Sequence, residues 1–225
     1  IQPVGNDARV PNRETECRRV LCFYPASEVD QRRIGNVSTL DQGARPDPTP
    51  VLLAPKLEPA QVEAILRPYG LQRIKEADAN LQSMAGDPRQ RHQLAGILPA
   101  LLESIERTAD PDLALNQWER WLASGVSRSA VLEYLGTAPR MVDLVCTIFG
   151  NSNSLACTLV HDPLLLYWLA QQNVLSTAPT KAGMERTVRQ SLETVTSTEL
   201  KLDALRRFRR REMLRIGAVS YTHLT

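Results

Sequence analysis

From Leu57 onward, proline recurs at the head of one apolar helical pattern after another. The pairs are Glu58-Pro59, Asp87-Pro88, Asp110-Pro111, Ala138-Pro139, Asp162-Pro163 and Ala178-Pro179. Proline at the first helical position forfeits no intrahelical hydrogen bond, and an aspartate before it can accept from the free amides of the first turn. Each pair therefore predicts a helix start.

The apolar spacing between these starts is helical. Ile74, Ala77, Leu81 and Met84 form one stripe, and Leu94, Ile97, Leu98, Leu101, Leu102 and Ile105 form a broader one that is predicted to bend at Pro99. Leu115, Trp118, Trp121 and Leu122 follow, then Val131, Leu132 and Leu135. Met141, Val142, Val145, Ile148 and Phe149 run up to Gly150, read as a helix stop, and Leu155, Leu159 and Val160 mark a short helix after it. A long arginine-rich helix is predicted from about Lys181 to Ile216. No alternating strand of convincing length intervenes, so residues 57–217 read as an all-α bundle with short connections. The helix starts are unevenly spaced, which argues against a solenoid repeat.

Residues 1–56 lack a sustained period and end in RPDPTPVLLAP, with four prolines between Pro46 and Pro55. They read as an irregular or disordered lead and a proline-rich linker. The whole chain is 43% apolar, enough to bury a core, and its formal charge of +2 does not by itself imply nucleic acid or an anionic membrane. The local exception is residues 181–217, with ten Lys and Arg against five Asp and Glu. The longest apolar run, Leu164–Ala170, is far shorter than the roughly 20 residues of a membrane span. Cys17, Cys22, Cys146 and Cys157 form no disulfide framework, which places the chain in a reducing cytoplasm. Residue 1 is Ile rather than Met, so the expectation is that the natural beginning lies elsewhere.

Residues that could carry chemistry are sparse. Neither GxGxxG nor GxxxxGK[ST] occurs. The one Asp-x-Asp, Asp110-Pro111-Asp112, reads as a capped helix start rather than a metal ligand pair. Glu76 and Asp78 point to nearly opposite sides of a helix. His92, His161 and His223 have no Cys, Asp or Glu at ligand spacing, and no Ser-His-acid constellation is visible. Trp118, Trp121, Tyr134, Phe149 and Trp168 fit core positions better than a base-stacking platform. No catalytic or metal-binding residue is therefore assigned.

The arginine-rich helix is the unusual object. Met184, Val188, Val195, Leu202, Leu205, Met213 and Ile216 trace an apolar face on a helical wheel, with Arg206 and Arg209 inside it and Arg207, Arg211 and Arg215 outside. Arg206 and Arg209 either snorkel or pair with Glu199, Asp203 or Glu212, or they meet another domain or an anionic ligand.

ADPDLAL at 109–115, LVCTIFGNSNSLACTLVHDPLLLYWL at 144–169 and LRRFRRREMLRI at 205–216 together resemble the helical segment of the bacterial glutamine synthetase adenylyltransferase/adenylyl-removing enzymes. The resemblance covers residues 57–217. It implies a bifunctional nucleotidyltransferase of nitrogen control, using ATP and Mg2+, with glutamine synthetase and the PII signalling protein as partners. It also implies that the metal-holding carboxylates belong to a nucleotidyltransferase domain following the arginine-rich helix, and that this segment alone is inactive. Either of the enzyme's two halves fits. The closing AVSYTHLT, residues 218–225, resembles a translated transposon-end sequencing adapter and is expected to be structurally idle. The competing expectations are a stand-alone helical interaction module and, third, a nucleic-acid binder using the arginine-rich helix.

Overall fold

Proline opens five of the twelve α-helices among the described residues. In the computed structural model, which describes residues 45–125 and 127–222, four of the six pairs open a helix at the proline itself. Twelve α-helices occur among the described residues: α1 (Pro50–Leu53), α2 (Pro59–Leu66), α3 (Ile74–Ala85), α4 (Pro88–Glu106), α5 (Pro111–Ala123), α6 (Arg128–Thr137), α7 (Pro139–Asn151), α8 (Asn153–His161), α9 (Leu165–Leu169), α10 (Gln172–Ser176), α11 (Lys181–Glu193) and α12 (Thr198–Thr222). The all-α expectation is what is observed. Asp87 and Asp110 cap α4 and α5 as their sequence context requires, accepting from the amides of Gln90 and Leu113 at 2.8 and 2.9 Å. Asp162-Pro163 and Ala178-Pro179 fall just outside their helices, and Thr180, rather than Ala178, caps α11.

The core lies where α4 and α5 pack on α7, with α6 on α4 and α3 on α5. Its centre is an aromatic triad: Trp118, Trp121 and Phe149 meet edge to face with centroids 5.3–5.9 Å apart, the geometry their ring quadrupoles favour. α4 runs on through Pro99 without a break. Gly150 is not a helix stop. It sits inside α7, where a Cβ would collide with Thr108, so its missing side chain lets α7 approach the α4–α5 corner.

Three boundaries differ from the sequence reading. Within the stretch read as a linker, residues 45–56 contain α1, whose Val51 and Leu52 are buried in the core. Its terminal carbonyls are satisfied by other helices: Gln82 Nε2 donates to Val51 O and Arg91 Nη1 to Leu52 O, both at 2.9 Å. Four prolines look like a spacer, but Pro50 at a first helical position costs nothing and Val-Leu-Leu supplies a buried face. Residues 1–44 lie outside the described residues.

The predicted helix over Lys181–Ile216 is two helices, α11 and α12. Thr194, Val195 and Thr196 carry poor helix formers, and Ser197 Oγ accepts the amide of Leu200 at 3.2 Å, starting a new helix there. Finally, α12 does not end at Gly217. It continues to Thr222, Ala218 is 0% exposed, and the Tyr221 hydroxyl donates to Asn151 O at 3.5 Å, so residues 218–222 are not idle in this fold.

Candidate docking surface on the arginine-rich helix

α12 packs on α7, α8, α10 and α11. The contact runs through small residues and through side chains the wheel had assigned to solvent. Ala204, Leu214 and Ala218 are buried, and Gly217 lies so close to Leu155 of α8 that a Cβ there would overlap it. Arg215 is only 9% exposed and donates to Glu212 at 2.9 Å. The Arg211 guanidinium lies over the Trp168 ring at 5.0 Å and the Phe208 ring at 5.8 Å, a cation–π clamp joining α12 to α9. Sequence reasoning missed Arg211 and Arg215. Their signal was the recurrence of Ala204, Phe208, Arg211, Arg215 and Ala218 at three- and four-residue spacing, a stripe of close approach rather than of large apolar residues.

The stripe of large apolar residues consequently faces outward. Leu202, Leu205, Met213 and Ile216 are 40–52% exposed on one side of α12. Arg206 and Arg209 stand on this side, both exposed. Arg206 Nη1 bonds Asp203 Oδ1 at 2.7 Å across one turn, whereas Arg209 makes no hydrogen bond or ion pair among the described residues. Around the flank, an open groove of about 980 Å3 separates α11 from α12, with Met184, Val188, Leu192, Val195 and Phe208 as its apolar floor. α11 has no fully buried residue. A helix of 13 residues is marginal in water without tertiary cover, so this hairpin has an apolar surface with nothing upon it among the described residues.

Elsewhere the polar residues are consumed by structure. Asp110 caps α5, and Asp112 Oδ2 and Oδ1 accept the amides of Gln72 and Arg73, each at 3.1 Å. Buried Cys146 accepts from Trp118 Nε1 at 3.2 Å, and desolvation pushes its thiol far above its ordinary range. Among the described residues, no three His, Cys, Asp or Glu side chains group as a metal site.

A family match falls on the surface just described. Residues 142–225 match the model of the glutamate-ammonia ligase adenylyltransferases. That stretch spans α7 to α12, including Arg206, Arg209 and the whole α11–α12 hairpin. The chain is also similar to bifunctional glutamine synthetase adenylyltransferase/adenylyl-removing enzymes: 32% identical over 136 residues to that of Xanthobacter autotrophicus, and 28% over 127 residues to those of Brucella suis and Bartonella henselae. These alignments cover 60%, 56% and 56% of the chain but only 14%, 13% and 13% of the relatives. The chain thus spans about one seventh of the adenylyltransferases it resembles. No solved structure matches.

Proposed function

We propose that this chain is the helical part of a glutamine synthetase adenylyltransferase/adenylyl-removing enzyme, which transfers AMP from ATP to a tyrosine of glutamine synthetase and removes it by phosphorolysis. The similarity over α7–α12 carries this reading. The segment itself supplies no catalytic group; ATP and Mg2+ belong to a nucleotidyltransferase domain, and the whole cytoplasmic enzyme acts on glutamine synthetase under control of PII. The role left to these helices is to hold that domain, with Arg206 and Arg209 donating to carboxylates or carbonyls on it while Leu202, Leu205, Met213 and Ile216 are covered. Exposed guanidiniums among half-exposed apolar side chains suit such a contact, because Arg offers five donors at a modest desolvation cost.

Grafting residues 57–217 into the Xanthobacter autotrophicus enzyme, in place of its own corresponding helices, tests the reading. The chimera should adenylylate glutamine synthetase, and Arg206→Ala with Arg209→Ala should lower its activity at least about tenfold, the scale of losing charge-assisted bonds at an interface. An active chimera indifferent to both substitutions would remove these residues from the domain contact. The 225-residue chain with ATP, Mg2+ and glutamine synthetase should give no AMP transfer, and metal-dependent transfer would overturn the non-catalytic assignment.

The open apolar groove between α11 and α12 favours one alternative, a helical interaction module that binds a partner helix without any catalytic domain. An inactive chimera that still binds a separate helical partner would support it.

A further inference from the structure

On the opposite flank of α12 from the α11 groove lies a small polar cleft of about 130 Å3. It is walled by Thr158, His161, Asp162 and Leu165 from the α8–α9 corner and by Arg207 and Arg210, one turn apart on α12. Its side chains divide by hydrogen-bonding sense. Arg207, Arg210 and His161 can donate, and none has a hydrogen-bond or ion-pair partner among the described residues. Asp162 can only accept when ionised, and its carboxylate is likewise unpartnered there. The Thr158 hydroxyl donates back to Ser154 O at 3.1 Å, which leaves its oxygen only an accepting role.

This lining suits an anion that also carries a proton. The two guanidiniums outweigh the single carboxylate, so the cleft is net positive, yet a fully deprotonated anion would place unshared lone pairs against Asp162. Hydrogen phosphate resolves both demands. Its charged oxygens accept from Arg207, Arg210 and His161, and its one hydroxyl donates to Asp162. A cleft of about 130 Å3 has room for several waters and so for a five-heavy-atom ion.

We infer that the cleft between the α8–α9 corner and α12 binds inorganic phosphate as its hydrogen-bearing anion, gripped by Arg207 and Arg210 and selected by Asp162. Sulfate, without a proton at neutral pH, should bind less well, as should the dianion of methyl phosphate, whose remaining substituent cannot donate. The site is separate from the outward face of α12 and does not depend on the function proposed above.

Titration calorimetry of the 225-residue chain with sodium phosphate, at constant ionic strength, tests the inference. One saturable site is expected, weakened at least about tenfold by Arg207→Gln or Arg210→Gln and unaffected by Arg140→Gln on exposed α7 surface. Sulfate and methyl phosphate should each bind several-fold more weakly than phosphate, and Asp162→Asn should abolish that preference. All four positions are at least partly exposed, and an unchanged melting midpoint confirms that each variant is folded. Absence of saturable binding at tens of millimolar phosphate overturns the inference, as does binding that survives both arginine substitutions. Equal affinity for phosphate, sulfate and methyl phosphate overturns the role of Asp162.

Discussion

Asp112, near the start of α5, holds the backbone amide of Arg73 at 3.1 Å and so caps a helix 39 residues away in sequence. α3 has no side-chain cap of its own, and the second Asp112 oxygen takes the adjacent Gln72 amide. One carboxylate thus satisfies the N-cap amide of α3 and the amide just before it. Asp112→Ala should cost about 1–2 kcal/mol in urea unfolding, and Asp112→Asn, which keeps one acceptor oxygen, should cost less. Equal losses from the two would show that the side chain acts by charge rather than by acceptor geometry.

Leu52 measures whether residues 45–56 belong to the fold. It is buried, and Leu→Ala at such a site typically costs about 2–4 kcal/mol, whereas a linker position would cost nothing measurable. Arg91→Ala should show part of the same loss, because it strands the Leu52 carbonyl that Arg91 satisfies. Denaturant midpoints of the two variants decide the matter.

Deleting residues 218–225 should lower the melting midpoint. Ala218 is buried against the bundle and Tyr221 reaches Asn151. Ala218→Glu is the sharper probe, since it forces a charge into a closed contact and should cost more than about 2 kcal/mol, while Ser220→Glu on the exposed side should be nearly silent. A deletion without effect on the midpoint would return the tail to the idle status its sequence suggests.

The arginines of α12 should separate into two groups. Arg206→Ala and Arg209→Ala should each change the stability of the chain by less than about 0.5 kcal/mol, because both are exposed and the Arg206–Asp203 pair is solvent-screened. Arg215→Ala should cost about 2 kcal/mol, since it leaves part-buried Glu212 with only the more distant Arg211, at 4.0 Å, and opens a contact on α12. The opposite ranking in thermal melts would mean that α12 is rotated about its axis from the orientation described.

Stability should decline in the alkaline range. Burial raises the Cys146 thiol above its ordinary value of 9.0, and burial likewise raises Tyr69 and Tyr134 above 10.0. These groups are neutral in both states at neutral pH and carry no penalty there. Above about pH 9 the unfolded chain releases protons that the folded chain retains, so unfolding gains. The urea midpoint should therefore fall between pH 8 and pH 10.5, and fall less steeply in Cys146→Ala, where only the tyrosine contributions remain. Parallel pH profiles for the two proteins would mean that the thiol ionises equally easily in both states.

The sequence by itself determined the helices that proline, aspartate and apolar period mark together. Asp87-Pro88 and Asp110-Pro111 start helices because capping and a fixed φ are local effects that need no distant partner. The adenylyltransferase resemblance was equally legible, since it rests on the order of residues. Tertiary structure decided what depends on which neighbour arrives. Nothing local distinguishes α1 from a linker until Gln82 and Arg91 meet its carbonyls. The wheel of α12 located the apolar stripe of Leu202, Leu205, Met213 and Ile216 correctly but not its direction. Small residues let helices approach more closely than large ones, so α12 packs through Ala204, Gly217 and Ala218 and presents its larger apolar side chains, with Arg206 and Arg209 among them, outward.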